Sequence, residues 1–130
     1  MSLFKNFFGN ESEEPSSKIN WIALNNLGQL NEIINTSAEK PVIIFKHSTR
    51  CSVSRMALKQ FENDFDIETL QYNIATYFLD LLNYRDISNE IASRFNVQHQ
   101  SPQLILIKNG LAVYNVSHSD IDAGELKSKV

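Results

Sequence analysis

One cysteine, three prolines and four glycines are all that this 130-residue chain has of those residues. A single cysteine excludes a disulfide within the chain and a zinc site built from clustered thiolates, and it suits a reducing, cytoplasmic compartment. Basic residues are in the minority, 12 Lys and Arg against 15 Asp and Glu, for a net charge of −3. Without a basic stripe, nucleic acid has no electrostatic footprint to bind. No apolar run approaches the roughly 18 residues of a membrane span. His47, His99 and His118 are scattered without metal-ligand spacing, so no metal is expected. What is present, 42% hydrophobic and 21% charged residues, is the composition of an ordinary soluble globular domain. The length allows one domain with a real core.

The chain opens Met1-Ser-Leu-Phe-Lys-Asn-Phe-Phe-Gly, an apolar run broken by Lys5 and Asn6 and followed by no small-residue cleavage site. It resembles the start of a signal peptide only superficially, and none is expected. The polar stretch from Asn10 to Ser17 follows. Residues 1–18 read as a flexible tail and residues 19–130 as the domain, with Phe4, Phe7 and Phe8 free to touch a partner or a membrane surface.

Trp21, Leu24, Leu27, Leu30, Ile33 and Ile34 recur at helical spacing, which predicts a helix ending near Thr36. Pro41 to Phe45 is a short apolar strand. A helix is expected from Cys51 to Phe61, with Ser48 and Thr49 as candidate caps. Residues 68–74 alternate as a second strand would, whereas Tyr77 to Leu82 is apolar but ambiguous. Ile87, Ile91, Ala92 and Phe95 mark another helix, capped by Asp86 or Asn83. Gln103–Lys108 and Leu111–Val116 are two strands joined by Asn109-Gly110, a strong hairpin signal because both turn positions need positive φ. A last helix begins at Ser119. The order α-β-α-β-α-β-β-α predicts an α/β fold: a four-stranded mixed sheet with a parallel β-α-β unit, a closing antiparallel hairpin and helices on both faces.

Cys51 falls at the junction between the first strand and its helix, in the run Lys46-His47-Ser48-Thr49-Arg50-Cys51-Ser52-Val53-Ser54. A sulfur at such a place meets unsatisfied backbone N–H groups and the positive end of the helix dipole, and both favour thiolate. The carboxyl end of a strand in an open α/β sheet is also where ligands tend to bind. Cys51-x-x-Ser54 is a redox Cys-x-x-Cys pattern whose second sulfur is a hydroxyl.

The element order, the cysteine opening a core helix and Ser101-Pro102 ahead of a hairpin strand together resemble the thioredoxin superfamily. Within it the chain resembles the monothiol bacilliredoxins, the YtxJ-like bacillithiol-system proteins. The matching pieces are Phe45-Lys-His-Ser-Thr, Cys51 and Ser54, Gln100-Ser-Pro-Gln-Leu-Ile-Leu-Ile-Lys-Asn-Gly, and Ser117-His118. They run from about Trp21 to the C-terminus. The resemblance implies a thioredoxin-like fold and a cis peptide before Pro102 on the wall opposite the cysteine. Two residues depart from the family pattern: Ser52 stands where a proline follows the cysteine, and Arg50 where a neutral residue is usual.

One sulfur fixes the available chemistry. Cys51 can attack a mixed disulfide between a protein and a small thiol and carry that thiol away, but a second thiol must come from outside. The expected activity is therefore that of a thiol-disulfide oxidoreductase of the monothiol type. It removes bacillithiol, or a similar low-molecular-weight thiol, from S-thiolated client proteins, with that thiol as co-substrate and no other cofactor. Cys51 is the expected nucleophile. Ser54 is a hydrogen-bond donor to its thiolate, and Arg50 a charge beside it. Ser101, Pro102, Thr49 and His47 are expected to line the substrate, while His99 and His118 are read as surface or structural residues. The alternatives are thioredoxin-like exchange with a protein cysteine, a non-catalytic partner-binding module, and a shared iron–sulfur cluster. The last is disfavoured because Cys51-Ser-Val-Ser lacks the glycine and aromatic of the Cys-Gly-Phe-Ser motif.

Overall fold

The computed structural model describes residues 19–65 and 74–130. The expected tail and all but the last residue of the strand expected at 68–74 lie outside that range. The elements in order are β1 (Ile22–Ala23), α1 (Gln29–Ser37), β2 (Val42–His47), α2 (Ser52–Asp64), β3 (Ala75–Asp80), α3 (Arg85–Arg94), β4 (Gln103–Lys108), β5 (Leu111–Ser117), a 3-10 turn (His118–Asp120) and α4 (Ala123–Lys127).

The sheet has five strands in the order β1-β3-β2-β4-β5, not the four expected. The extra strand is β1, which pairs parallel with β3 through Ile22–Tyr77 and Ala23–Phe78. It occupies the start of the expected first helix. Trp21 does not continue a helical stripe. Its ring packs against Phe45, Phe61 and Phe78, and its Nε1 donates to Glu62 at 2.8 Å. Asn25, Asn26 and Gly28 then turn the chain into α1. The Gln29 side chain holds this turn: its oxygen accepts from the Asn25 and Asn26 backbone N–H, and its nitrogen donates to the Ala23 carbonyl.

β2 lies at the centre, parallel to β3 and antiparallel to β4. All six of its residues are buried, including Lys46 and His47, two residues past the expected strand end. Alternation divides the core between two faces. Val42 and Ile44 join Leu30 and Ile33 of α1 and Ile87 and Ile91 of α3. Ile43 and Phe45 join Phe61 of α2 and Ala123 and Leu126 of α4. Helices therefore cover both faces, as the sequence predicts. The second core strand is β3, which follows the strand expected at 68–74 and takes in Tyr77 to Asp80 of the run Tyr77–Leu82 that the sequence left ambiguous. The hairpin is as expected: Asn109 has φ 53° and Gly110 φ 77°.

Three caps differ from expectation. Cys51 itself is the N-cap of α2, Tyr84 precedes α3, and α4 starts four residues after Ser119, where Asp122 accepts from the Gly124 N–H at 2.8 Å.

Candidate functional site

β2 ends at His47, and the chain turns once through Ser48–Cys51, closed by a hydrogen bond from the Cys51 N–H to the Ser48 carbonyl at 3.2 Å. Cys51 has extended φ and ψ of −106° and 120°, and its carbonyl accepts from the Arg55 N–H at 3.1 Å as the first helical bond of α2. Cys51 thus holds the N-cap position, beside the free amides of the first turn, with no capping hydrogen bond from its sulfur. No acidic residue occupies that turn, so nothing competes with a sulfur anion for the helix dipole. Cys51 is half-buried and free of any disulfide.

Ser54 lies one helical turn further on and is wholly buried. Its hydroxyl oxygen accepts from the Ser48 N–H at 3.0 Å and lies 2.8 Å from His47 Nδ1. Burial holds the His47 pKa below the usual imidazole value, an effect opposed by Asp80 and reinforced by Arg55. The imidazole is therefore neutral near pH 7. With its proton on Nε2, Nδ1 receives the Ser54 hydroxyl proton. With its proton on Nδ1, the imidazole donates to Ser54 and leaves that hydroxyl's own proton free for another acceptor. Ser54 also pins the turn carrying Thr49 and Arg50, both exposed. Arg55 grips the same turn from the helix, donating from Nη1 to the Thr49 carbonyl at 3.1 Å.

The peptide between Ser101 and Pro102 is cis. Pro102 is buried, and its carbonyl accepts from the His118 N–H at 3.0 Å. Ser101 is half-buried, and its hydroxyl finds no hydrogen-bond partner among the described residues. Because Lys46 pairs with Gln103 in the antiparallel ladder, β2 leaves the sheet at the end where β4 enters it. The Cys51 turn and the Ser101–Pro102 peptide are thus loops of one sheet end. Beside them, Val53 (49% exposed) and Met56 (72% exposed) line a groove of about 210 Å³ with Ala57, His118 and Ile121.

Sequence reasoning missed four residues around this site. Arg55 falls within the helix expected from Cys51 to Phe61, and its spacing alone does not show that it reaches back to the Thr49 carbonyl. Asp80 stands beside His47 in the parallel register, with one carboxylate oxygen buried and unpartnered among the described residues. Lys46 lies just past the expected strand end and Gln103 at the start of its strand, and both are completely buried. The signal available in the sequence is a lysine directly following an unbroken apolar strand, where burial of a charge is rare. Among the described residues no three His, Cys, Asp or Glu gather as a metal site, and no helix is long and apolar enough to cross a membrane.

A mixed sheet covered on both faces, a lone cysteine capping the helix after its central strand and a cis-proline at the same sheet end define a thioredoxin-fold protein of redox type. Solved structures agree. A candidate oxidoreductase with a thioredoxin fold is similar at 33% identity and a TM-score of 0.69, over 82% of this chain and 90% of its own. Thioredoxins from Nicotiana alata (21% identity, TM-score 0.64) and Malassezia sympodialis (19%, 0.63) share the fold, each over 92% of this chain and 95% of theirs. Residues 22–126 match the monothiol bacilliredoxin BrxC family, and the chain belongs to it.

Proposed function

We propose that this protein removes bacillithiol, or a comparable small thiol, from S-thiolated proteins in the cytoplasm. One observation carries the reading: Cys51, the only sulfur nucleophile in the chain, caps α2 while Ser54 holds the place of a resolving thiol. The Cys51 thiolate attacks the small-thiol sulfur of a protein–S–S–R disulfide. That bond breaks, the client leaves as its thiolate, and Cys51–S–S–R forms. The thiolate of a second RSH then attacks the R sulfur, releasing RSSR and restoring Cys51. The electrons come from the one RSH consumed per turn, since the other half of RSSR enters with the client's mixed disulfide, and no resident cofactor takes part.

Ser54 and His47 fix the turn that aims Cys51. The Ser101 backbone pairs with the extended client segment, Pro102 shapes that wall, and Thr49 and Arg50 flank the entering thiol. The Arg50 guanidinium is suited to a carboxylate of that thiol. Incubation with a bacillithiolated client tests the cycle. Intact mass should show the adduct leaving the client and appearing on Cys51, with no transfer in Cys51→Ser. A client that keeps its adduct would sink the reading.

The exposed Val53 and Met56 favour a second reading, direct exchange with a protein disulfide. Its trapped intermediate would be a protein–protein adduct, which the same mass measurement separates from the small-thiol form.

A further inference from the structure

We propose that Lys46 and Gln103 form a buried two-point clamp that positions residues 98–101, and with them the Ser101 backbone, for capture of a substrate disulfide. The proposal deepens the functional reading above and rests on it for its catalytic readout. The two residues stand directly opposite each other in the β2–β4 ladder, so their side chains share one face. Both are completely buried.

From that face they reach three successive loop residues. Gln103 Nε2 donates to the Gln98 carbonyl at 3.0 Å, and Gln103 Oε1 accepts from the Gln100 N–H at 3.4 Å. Between these, Lys46 Nζ lies 2.7 Å from His99 Nδ1. An ammonium only donates, so it selects the imidazole tautomer with its proton on Nε2. The Ser88 hydroxyl, on α3, approaches the same Nδ1 at 3.3 Å. The next peptide after Gln100 leads into the cis Ser101–Pro102 bond, and the Pro102 carbonyl is held from the far side by His118. The loop is thus fixed from below by two strands and at its exit by the turn after β5.

The energetics favour a positioning role over simple packing. No carboxylate bonds to Lys46 among the described residues, whereas Val42 and Ile44 fill the same face of β2 with hydrocarbon. A buried cation without an anion costs stability that an apolar side chain would not. What the cation supplies in return is a charge-assisted bond to one loop residue. Neither Lys46 nor Gln103 touches the reacting sulfur in this arrangement.

Three variants of the full chain test the clamp: Lys46→Met, Gln103→Leu, and His99→Ala at an exposed site that folding tolerates. Two readouts are independent of client turnover: iodoacetamide alkylation of Cys51 and hydrogen exchange at the amides of residues 98–101. Alkylation should stay within about twofold of wild type, while exchange at Gln100 should quicken about tenfold, the scale of one hydrogen bond. With a bacillithiolated client, kcat/KM should fall about tenfold, chiefly through KM, and Lys46→Met/His99→Ala should be no worse than either single change. Unchanged exchange in all three variants overturns the clamp. So does a loss of alkylation equal to the loss of client reaction. A wild-type protein that leaves the client untouched defeats the functional reading instead, and amide exchange alone then decides the clamp.

Discussion

Ser54 Oγ lies 2.8 Å from His47 Nδ1, joining the first turn of α2 to the last residue of β2 beneath the turn that carries Cys51. The same oxygen accepts from the Ser48 N–H. A hydroxyl in place of the second sulfur is therefore a structural part of the site as well as a missing thiol.

Ser54→Ala should leave a buried imidazole nitrogen and a backbone N–H unpaired. The expected cost is about 1–3 kcal/mol of stability, the usual penalty for an unsatisfied buried polar group. Urea denaturation measures it. A change below a few tenths of a kcal/mol would mean that water replaces the hydroxyl.

Ser54→Cys restores the Cys-x-x-Cys spacing on a helix whose N-cap is Cys51. Mild oxidation should remove both thiols within the monomer, read as loss of two hydrogens by intact mass. The Cys51–S–S–R adduct should also cease to accumulate, because the new thiol resolves it. Persistent adduct in that variant would show that position 54 is out of reach of Cys51.

Acid should weaken the fold before the carboxylates titrate. His47 and His99 both have pKa values lowered by burial. Just below the unfolded imidazole value of about 6.5, the unfolded chain binds more protons than the folded one, so stability falls as pH falls there. His47→Asn should make that slope shallower, by no more than the roughly 1.4 kcal/mol per pH unit that one proton carries. An unaltered slope would show that His47 charges freely in the folded state.

Alkali should act in the opposite sense on Lys46, whose pKa burial lowers from 10.5 to about 8. Below about pH 8 both states are protonated and the full penalty of the buried cation is present. As pH rises from 8 toward 10.5 the unfolded chain holds the extra proton, so stability should climb, by up to about 3 kcal/mol. Tyr77 and Tyr114, with phenols pushed up by burial, oppose this only above about pH 10. Lys46→Met should be flat from pH 8 to 10, as denaturant midpoints would show.

The legible parts of the fold were those set by neighbours in sequence. Asn109-Gly110 announced its hairpin because positive φ is a local demand, and α2 and α3 showed their apolar spacing. The start of the domain misled, because Trp21 and Leu24 fall at helical spacing while Trp21 serves an aromatic cluster assembled from three distant elements. β3 was ambiguous for a related reason: as a buried interior strand it lacks the alternation of a half-exposed one. Of the candidate site, Cys51, Ser54 and Ser101-Pro102 stood out by motif. The bond between His47 and Ser54 did not, since it depends on α2 folding back against the end of β2, nor did the carboxylate of Asp80, which stands beside His47 only through the β2–β3 register.

The sequence by itself determined that there is one thiol, that its partner position is a hydroxyl, and that any second thiol comes from elsewhere. Those are facts of composition and spacing, and folding does not alter them. Only the tertiary structure decided that Cys51 caps α2, that Ser54 is bonded to His47 and Ser48, and that Lys46 and Gln103 reach the loop before the cis-proline. The ladder register makes neighbours of residues more than fifty positions apart, and a buried polar group must take its partner from whatever the register places there.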